Sequence, residues 1–149
     1  MSRIQAHRYH DICYGHRVVG QGGKCEHLHG HNGRFHFTVQ SDSEKQTDDV
    51  GRVMDFGVIK SSLCMWIEYN WDHKFLVWDE DPFCSFLKDI DSEGTIYVPF
   101  NPTSENMAKY LVESIGPAVL AGTGVILTKV LMEETAKCSA SYTKEGYYD

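Results

Sequence analysis

Three of the eight histidines lie within five residues of the chain, at positions 27, 29 and 31. The segment from His29 to Gln40 alternates between two sets of residues, which is typical of a half-buried strand. Because residues i and i+2 of a strand project from the same face, His29 and His31 can direct two imidazoles to one point. Two ligands do not complete a structural zinc site, which has four, so a third ligand must come from elsewhere in the chain.

We expect His16 to be the third ligand, because it lies near the end of the strand that should pair with the histidine strand. Three neutral imidazoles would hold Zn²⁺ and leave its fourth position for water or a substrate oxygen, as in catalytic zinc sites. The triplet alone is weak support, since a strand histidine is more often packed or solvated. His36 has the opposite strand parity and His27 lies in the loop, so neither is expected to bind metal.

Cys25 is the candidate acid–base group, because it lies four residues before His29 on a glycine-bordered loop. A thiol near a metal and beside Lys24 would have its thiolate form favoured. Two alternatives remain for Cys25, a fourth zinc ligand that closes a structural site or an inert small side chain. Asp72 and His73 are a second candidate pair, a carboxylate that can orient an imidazole, although a helix end with a dipole-matched histidine would explain them too.

The overall composition excludes several classes of protein. With 149 residues, the chain has room for one domain, residues 1–149. The 14 basic and 21 acidic residues give a net charge of −7, so no nucleic-acid or membrane partner is expected. No apolar stretch resembles a signal peptide or a membrane span, and the five cysteines are an odd number, so we expect a cytoplasmic protein with reduced thiols.

The elements that position these residues follow from periodicity. The stretch at about residues 4–19 should pair antiparallel with the histidine strand across a glycine-rich loop. A helix should follow Asp55 as N-cap, and a second should run from about Thr103 to Ile115 and end at Gly116-Pro117. With closing strands at 124–134 and 137–143, these elements predict an α+β fold of order ββααββ with a predominantly antiparallel sheet.

Taken together, these residues resemble the 6-pyruvoyl-tetrahydropterin synthase / 6-carboxy-tetrahydropterin synthase family. The resemblance rests on short motifs in the family's order: His16, Cys25-Glu26-His27-Leu28-His29-Gly30-His31, Asp55-Phe56, Asp72-His73, Pro102-Thr103-Ser104-Glu105-Asn106, and Glu134-Thr135 followed by Tyr142. The implied fold is the tunnelling fold, an antiparallel ββααββ sheet with two helices on one face. The implied assembly is a homo-oligomer, a trimer whose sheets close a barrel, often paired into a hexamer.

The resemblance also implies roles for individual residues. His16, His29 and His31 would be the zinc ligands, Cys25 the proton-abstracting thiol, and Asp72 with His73 the pair that polarises it. Glu134 would anchor the pterin ring, and its counterpart has also been cast as part of the proton relay. Thr103 and Ser104 are weaker candidates for substrate contact, because a helix-cap role already explains them.

The four-residue step from Cys25 to His29 is similar to that of the 6-carboxy-tetrahydropterin synthases of queuosine biosynthesis. The implied reaction converts 7,8-dihydroneopterin triphosphate to 6-carboxy-5,6,7,8-tetrahydropterin, acetaldehyde and triphosphate. The alternative within the family is the pyruvoyl-forming synthase, which retains all side-chain carbons. An alternative of another class is a non-catalytic zinc- or pterin-binding protein. Lys24, Arg17 and Arg34 are candidate triphosphate partners, because they lie near the Cys25 loop.

Three features depart from the family pattern. Tyr14-Gly15 precede the first metal histidine, where small residues are usual, so the wall of the site should differ. The 74–101 segment is longer than in compact members and has no clean period between Pro82 and Pro99, so it could add a lid, an interface element or an altered specificity. Glu133 beside Glu134 makes the anchor ambiguous unless the strand register is known.

Overall fold

The computed structural model describes residues 2–147, and its largest feature is a mixed six-stranded sheet. The spatial order of the strands is β4-β3-β1-β2-β5-β6. Their bounds are β1 Ala6–His16, β2 His29–Ser41, β3 Lys74–Trp78, β4 Thr95–Val98, β5 Val125–Glu133 and β6 Ser139–Thr143. The pairs β1/β2, β2/β5 and β5/β6 are antiparallel, as expected from the sequence.

The β1–β2 hairpin pairs along its whole length and sets the register of the histidines. His16 lies directly opposite His29, and Tyr14 lies opposite His31. A Cβ atom at Gly30 would come within 2.9 Å of the Tyr14 carbonyl oxygen, so only glycine permits this close approach of the two strands. The predicted antiparallel pairing of the histidine strand is therefore confirmed.

Two long helices cover one face of the sheet. The first, α1, spans residues 56–70 as Phe56–Ile59, a π-helical turn Lys60–Cys64 and Met65–Asn70. The helix α3 spans residues 104–119 as Ser104–Tyr110, a π-helical turn Leu111–Ile115 and Gly116–Val119. Asp55 caps α1 by accepting from the Gly57 N–H, and Thr103 caps α3 by accepting from the Asn106 N–H, as predicted.

The predicted end of the second helix at Gly116-Pro117 is wrong, because the helix continues to Val119. Pro117 lies in the first turn of the last helical segment, a position where its missing N–H is tolerated.

The core lies between these helices and the sheet. The apolar β2 residues Phe35, Phe37 and Val39 are fully buried. They join one cluster with inward residues of both helices: Ile59, Leu63, Ile67, Met107, Leu111 and Val112. The burial fixes which face of β1 and β2 looks toward the helices, and His16, His29 and His31 share that face with the core by strand parity. None of the helices between residues 2 and 147 is long and apolar enough to cross a membrane.

The 74–101 segment adds three elements to the predicted ββααββ order. It forms β3, a helix α2 at Cys84–Ile90, and β4. The strand β3 pairs parallel with β1 at Tyr14 and Gly15 only, and β4 pairs parallel with β3. The sheet is therefore mixed, with an antiparallel part of four strands and a parallel extension at one edge.

Candidate metal centre

Three imidazoles meet on the helix side of the sheet, where the β1–β2 hairpin joins its loop. The ring centroids of His16, His29 and His31 lie 4.6, 5.1 and 4.9 Å apart in pairs. Strand pairing produces this arrangement directly, because His16 is the residue opposite His29 and His31 is two residues further along the same face. The structure thus brings together the three histidines that the sequence proposed as zinc ligands.

Hydrogen bonds orient two of these rings. His16 Nδ1 lies 2.6 Å from the Pro102 carbonyl oxygen, and His29 Nδ1 lies 2.7 Å from the His27 carbonyl oxygen. A carbonyl can only accept, so each Nδ1 carries the proton and each Nε2 carries a lone pair when the ring is neutral. This is the arrangement in which a second-shell carbonyl fixes the tautomer of a metal-binding histidine.

The Nε2 atoms of His16, His29 and His31 are all buried and have no hydrogen-bond partner within residues 2–147. Buried polar atoms in folded proteins are nearly always paired, so three ring nitrogens without a hydrogen bond around one point are unusual. Neutral imidazole nitrogens are good ligands for zinc, and three of them leave room for a further ligand. The residues present therefore fit a metal ion held by three histidines.

Glu134 is the fourth member of this group. Its ligand oxygen and the three imidazole nitrogens all lie within 4.8 Å of one another. The Oε1 atom is 2.9 Å from His31 Nε2, but the two atoms are not aligned as a hydrogen bond, which is why Nε2 remains unpaired. Its Oε2 atom accepts a hydrogen bond from the Ser104 hydroxyl at 2.5 Å. The sequence predicts Glu134 as a pterin anchor or part of the proton relay, and it does not predict the position of Glu134 beside His31.

The ambiguity between the two neighbouring glutamates is resolved by the sheet. Glu133 Oε2 lies 2.5 Å from His36 Nε2, on the face away from the helices. Glu134, which follows the last residue of β5, turns to the opposite side. His36 therefore lies away from the metal group, as its strand parity predicted.

Burial affects the pKa of two of the three imidazoles. It lowers the pKa of His16, helped by the neighbouring His29 and His31, against the opposing effect of the Pro102 carbonyl and of Glu134. Burial likewise lowers the pKa of His31, against the opposing effect of Glu134. The neutral imidazole that binds metal is thereby favoured.

Tyr14 forms one wall of the metal group. Its ring centroid lies 5.2 Å from that of His16 and 5.8 Å from that of His31. Burial raises the pKa of its hydroxyl, and the charge of Glu134 adds to this effect, so the phenol stays protonated. Tyr14, one of the two residues that depart from the family pattern before His16, therefore contributes directly to the wall of the site.

Thr103 and Ser104 have separate roles in the chain. The Thr103 hydroxyl caps α3, which leaves the Ser104 hydroxyl to hold Glu134. Ser104 is buried and acts on the site through Glu134.

Cys25 lies in a one-turn 3₁₀ helix, Lys24–Glu26, just before β2. Its carbonyl oxygen accepts from the Val18 N–H at 2.8 Å, which ties the turn to the residues after β1. Its thiol is not a member of the four-residue group around the histidines. In this structure, Glu134 rather than Cys25 is the fourth potential ligand.

Asp72 and His73 lie at the outer edge of β1 and are not members of the four-residue group around the histidines. Asp72 accepts from the Cys13 N–H at 2.9 Å and lies 2.9 Å from His73 Nδ1. Burial would raise the pKa of Asp72, but these two contacts and a hydrogen bond with the Glu68 side chain outweigh it and lower the pKa. The His73 side chain is 78% exposed and lines an open cavity of about 640 Å³ with Cys13, Asn32 and others. His73 also lines a second open cavity together with Tyr14 and His31.

Arg17, a candidate triphosphate partner from the sequence, is already paired within the chain. Its guanidinium is buried and makes two hydrogen bonds of 2.7 Å to Asp81. Arg34 is exposed and makes a similar pair with Asp11 on the far face. Both arginines lie near the Cys25 loop in the sequence. Their position in the sequence does not show that each is paired with an aspartate of the same chain.

Comparison with known proteins adds independent information. A family model described as 6-pyruvoyl tetrahydropterin synthase matches residues 5–145. A 6-carboxy-5,6,7,8-tetrahydropterin synthase of Rickettsia typhi is 32% identical over 136 residues, which cover 91% of this chain and 96% of the relative. Another of that name, from Aquifex aeolicus, is 37% identical over 130 residues, covering 82% of this chain and 77% of the relative.

Solved structures show the same architecture. An uncharacterised protein of Wolinella succinogenes superposes with a TM-score of 0.80 at 26% identity, covering 95% of this chain and 98% of the other. The 6-pyruvoyl tetrahydropterin synthase of Caenorhabditis elegans superposes with a TM-score of 0.67 at 24% identity, covering 97% of this chain and all of the other. The tunnelling fold predicted from the sequence is confirmed.

Proposed function

Because the chain belongs to the 6-pyruvoyl tetrahydropterin synthase family, we propose that it is a zinc-dependent 6-carboxy-5,6,7,8-tetrahydropterin synthase, a carbon–carbon lyase. Its substrate would be 7,8-dihydroneopterin triphosphate, in the cytoplasmic synthesis of queuosine. The names of the relatives support a pterin synthase, and the short step from Cys25 to His29 favours the carboxy-forming reaction. The observation that carries the proposal is the group of three unpaired imidazole nitrogens beside Glu134.

In this proposal, His16, His29 and His31 hold the zinc ion through their Nε2 atoms. Bound there, zinc would act as a Lewis acid that acidifies the side-chain hydroxyl groups of the substrate. The Pro102 and His27 carbonyls keep two of the ligands in the metal-binding tautomer. The buried Tyr14 ring excludes water from one side of the group.

Glu134 anchors the pterin by accepting hydrogen bonds from the ring N–H donors. The Ser104 hydroxyl holds one carboxylate oxygen and so limits the rotation of the side chain. Hydrogen bonds to a charged acceptor are stronger than those between neutral groups, which suits a polar ring with several donors. Cys25 removes and returns a carbon-bound proton.

We propose that the Asp72–His73 pair serves the Cys25 of another copy of the chain, because the pair lies at the outer edge of β1 and is not part of the metal group of its own chain. The sheet edges support assembly into a trimer, or a hexamer of two trimers. The outer edge of β1 pairs with β3 only at Tyr14 and Gly15, and β6 is the last strand at the other end of the sheet. Open edges of this kind pair with other strands unless they are protected.

The test is the mass of the products formed from 7,8-dihydroneopterin triphosphate by the zinc-loaded protein. The proposal predicts acetaldehyde and 6-carboxytetrahydropterin. A product that keeps all side-chain carbons would instead indicate the pyruvoyl-forming synthase.

The variant Cys25→Ala should lower the rate by roughly 100-fold or more, the usual worth of a positioned acid–base group. The matched control is Cys138→Ala, which removes an exposed thiol and should leave the rate unchanged. If the wild-type protein binds the pterin with zinc and forms no product, the chain is a binding protein and the proposed reaction is wrong.

A further inference from the structure

A buried ion pair involves the residue that follows His16, and it has no role in the function proposed so far. Arg17 follows His16, and its Nε and Nη2 atoms donate to the two carboxylate oxygens of Asp81, each at 2.7 Å. The two side chains are only 9% and 1% exposed. Asp81 also accepts from the Phe83 N–H at 2.8 Å, and the Phe83 ring lies 3.9 Å below the guanidinium. The pair therefore connects the residue after His16 to Asp81 and Phe83 of the 74–101 segment.

The same arginine reaches the turn that carries Cys25. Its Nη1 atom donates to the carbonyl oxygen of Glu26 at 3.3 Å. The next residue, Val18, donates its N–H to the Cys25 carbonyl oxygen at 2.8 Å. Arg17 and Val18, which follow His16, thus bind the backbone of Glu26 and Cys25 in the turn. Asp81 in turn binds Arg17.

The histidines themselves are held by a different set of contacts. His16 donates to the Pro102 carbonyl, and the Asn101 amide makes two hydrogen bonds to the backbone of Val19, of 3.0 and 2.9 Å. A change at Asp81 should therefore disturb the Cys25 turn more than the histidine rings. This separation makes the role of the ion pair testable.

We propose that the buried Arg17–Asp81 pair is a positioning element that fixes the Cys25 turn relative to the metal histidines. The role of Cys25 itself rests on the proposed function. The 74–101 segment, which supplies Asp81, acts as a brace for the site through this pair. A buried ion pair is costly to desolvate and seldom the most stabilising choice, which fits a role in holding a specific geometry.

The experiment compares Asp81→Asn with the matched control Asp48→Asn in the zinc-loaded full-length protein. Asp48 also pairs with an arginine, Arg52, and accepts backbone N–H groups, but it lies on the surface. The first readout is the rate of alkylation of Cys25 by iodoacetamide, followed by mass spectrometry, with exposed Cys138 of the same chain as reference. We expect Asp81→Asn to raise the Cys25 rate severalfold relative to Cys138, and Asp48→Asn to leave it unchanged.

The second readout is the split between kcat and KM. Misplacement of an acid–base group should lower kcat by about 10- to 100-fold. The KM and the zinc content should stay close to wild type, because Asp81 touches neither Glu134 nor the histidines. The conservative variant Asp81→Glu, which retains the charge, should recover part of kcat. A purely structural effect would give a different result: less active protein, but the same kcat for each zinc-loaded site.

If Asp81→Asn fails to fold, the double variant Arg17→Met/Asp81→Leu restores packing without the buried charges. The proposal predicts that this variant folds and still shows fast alkylation of Cys25 and low kcat. A folded variant of either kind with wild-type alkylation and wild-type kcat would overturn it. The alkylation rate does not depend on turnover, so a protein that makes no acetaldehyde but shows the shift at Cys25 would refute the proposed reaction and leave the brace standing.

Discussion

The two faces of the β1–β2 hairpin differ in whether their polar side chains have partners. On the helix side, the Nε2 atoms of His16, His29 and His31 are buried without a hydrogen-bond partner in the described chain. On the far face, Arg34 pairs with Asp11, and His36 pairs with Glu133. The two faces belong to the same strands and use similar residue types, so strand structure alone does not explain the difference.

The unpaired nitrogens are on the helix side, which is the face where we propose that zinc binds. Leaving a buried acceptor unpaired costs about 1–3 kcal/mol, so three in one place destabilise the folded chain unless something else satisfies them. The paired far face carries no such cost and can serve as a scaffold. Four predictions test this contrast, from the largest expected effect to the smallest.

The largest effect should come from His31→Ala. Changes in the second shell of a zinc site already cost roughly 10- to 100-fold in affinity, so loss of a ligand should cost at least about 100-fold. Zinc affinity is measured by competition with a chromophoric chelator. His36→Ala on the far face is the control and should bind zinc like the wild type, and equal affinities for the two variants would remove the contrast between the faces.

The next prediction concerns the Asp72–His73 pair at the edge of β1. If it serves a neighbouring copy, then Cys25→Ala and His73→Ala, each inactive alone, should complement each other when mixed and reassembled. With random mixing of two variants across a two-subunit site, about a quarter of the sites carry both intact groups. Activity that stays at the level of the separate variants would place the pair and Cys25 in the same subunit, or the pair outside the site.

The neighbouring residues Glu133 and Glu134 can be compared in the same way, with KM as the measured quantity. Glu134→Gln removes the charge that should accept the pterin donors, and we expect KM to rise by roughly 10-fold or more. Glu133→Gln alters only the pair with His36 and should leave KM near wild type. If Glu134→Gln instead lowers zinc affinity at unchanged KM, Glu134 is a metal ligand rather than a pterin anchor.

The smallest effect should come from Asp11→Asn, because its ion pair with Arg34 is exposed on both sides. At neutral pH, the melting temperature should fall by no more than about 3 °C. The hydrogen bond from Arg34 lowers the pKa of Asp11, so its contribution is present above the ordinary carboxyl pKa and is lost as the pH falls through the lowered value. Melting curves of both proteins should therefore converge at low pH, and a gap that widens toward acid would contradict the assignment.

Much of the site follows from local rules that a sequence displays. Alternation in β2 predicts which residues face the helices, and it separates His31 from His36 correctly. The caps Asp55 and Thr103 are equally local, since each accepts from an N–H within three residues. These features need no knowledge of distant contacts.

The features that a single sequence did not reveal depend on contacts between distant segments. Arg17 and Asp81 are 64 residues apart, so nothing near Arg17 shows that its charge is buried and paired. The strands β3 and β4 pair in parallel, which requires long connections and leaves no hairpin signal. Glu134 reaches His31 because the chain turns after β5, a turn closed by backbone bonds to Cys138.

His73 adopts a left-handed backbone conformation, with φ of 59°. Glycine occupies this region without steric cost, whereas a side chain with a Cβ is strained there. Selection for stability and selection for an imidazole would therefore choose different residues at this position. If the proposed role of the His73 imidazole is right, position 73 should be among the first to change to glycine or asparagine in a lineage that lost the reaction, and the residue found there would record whether the reaction is still in use.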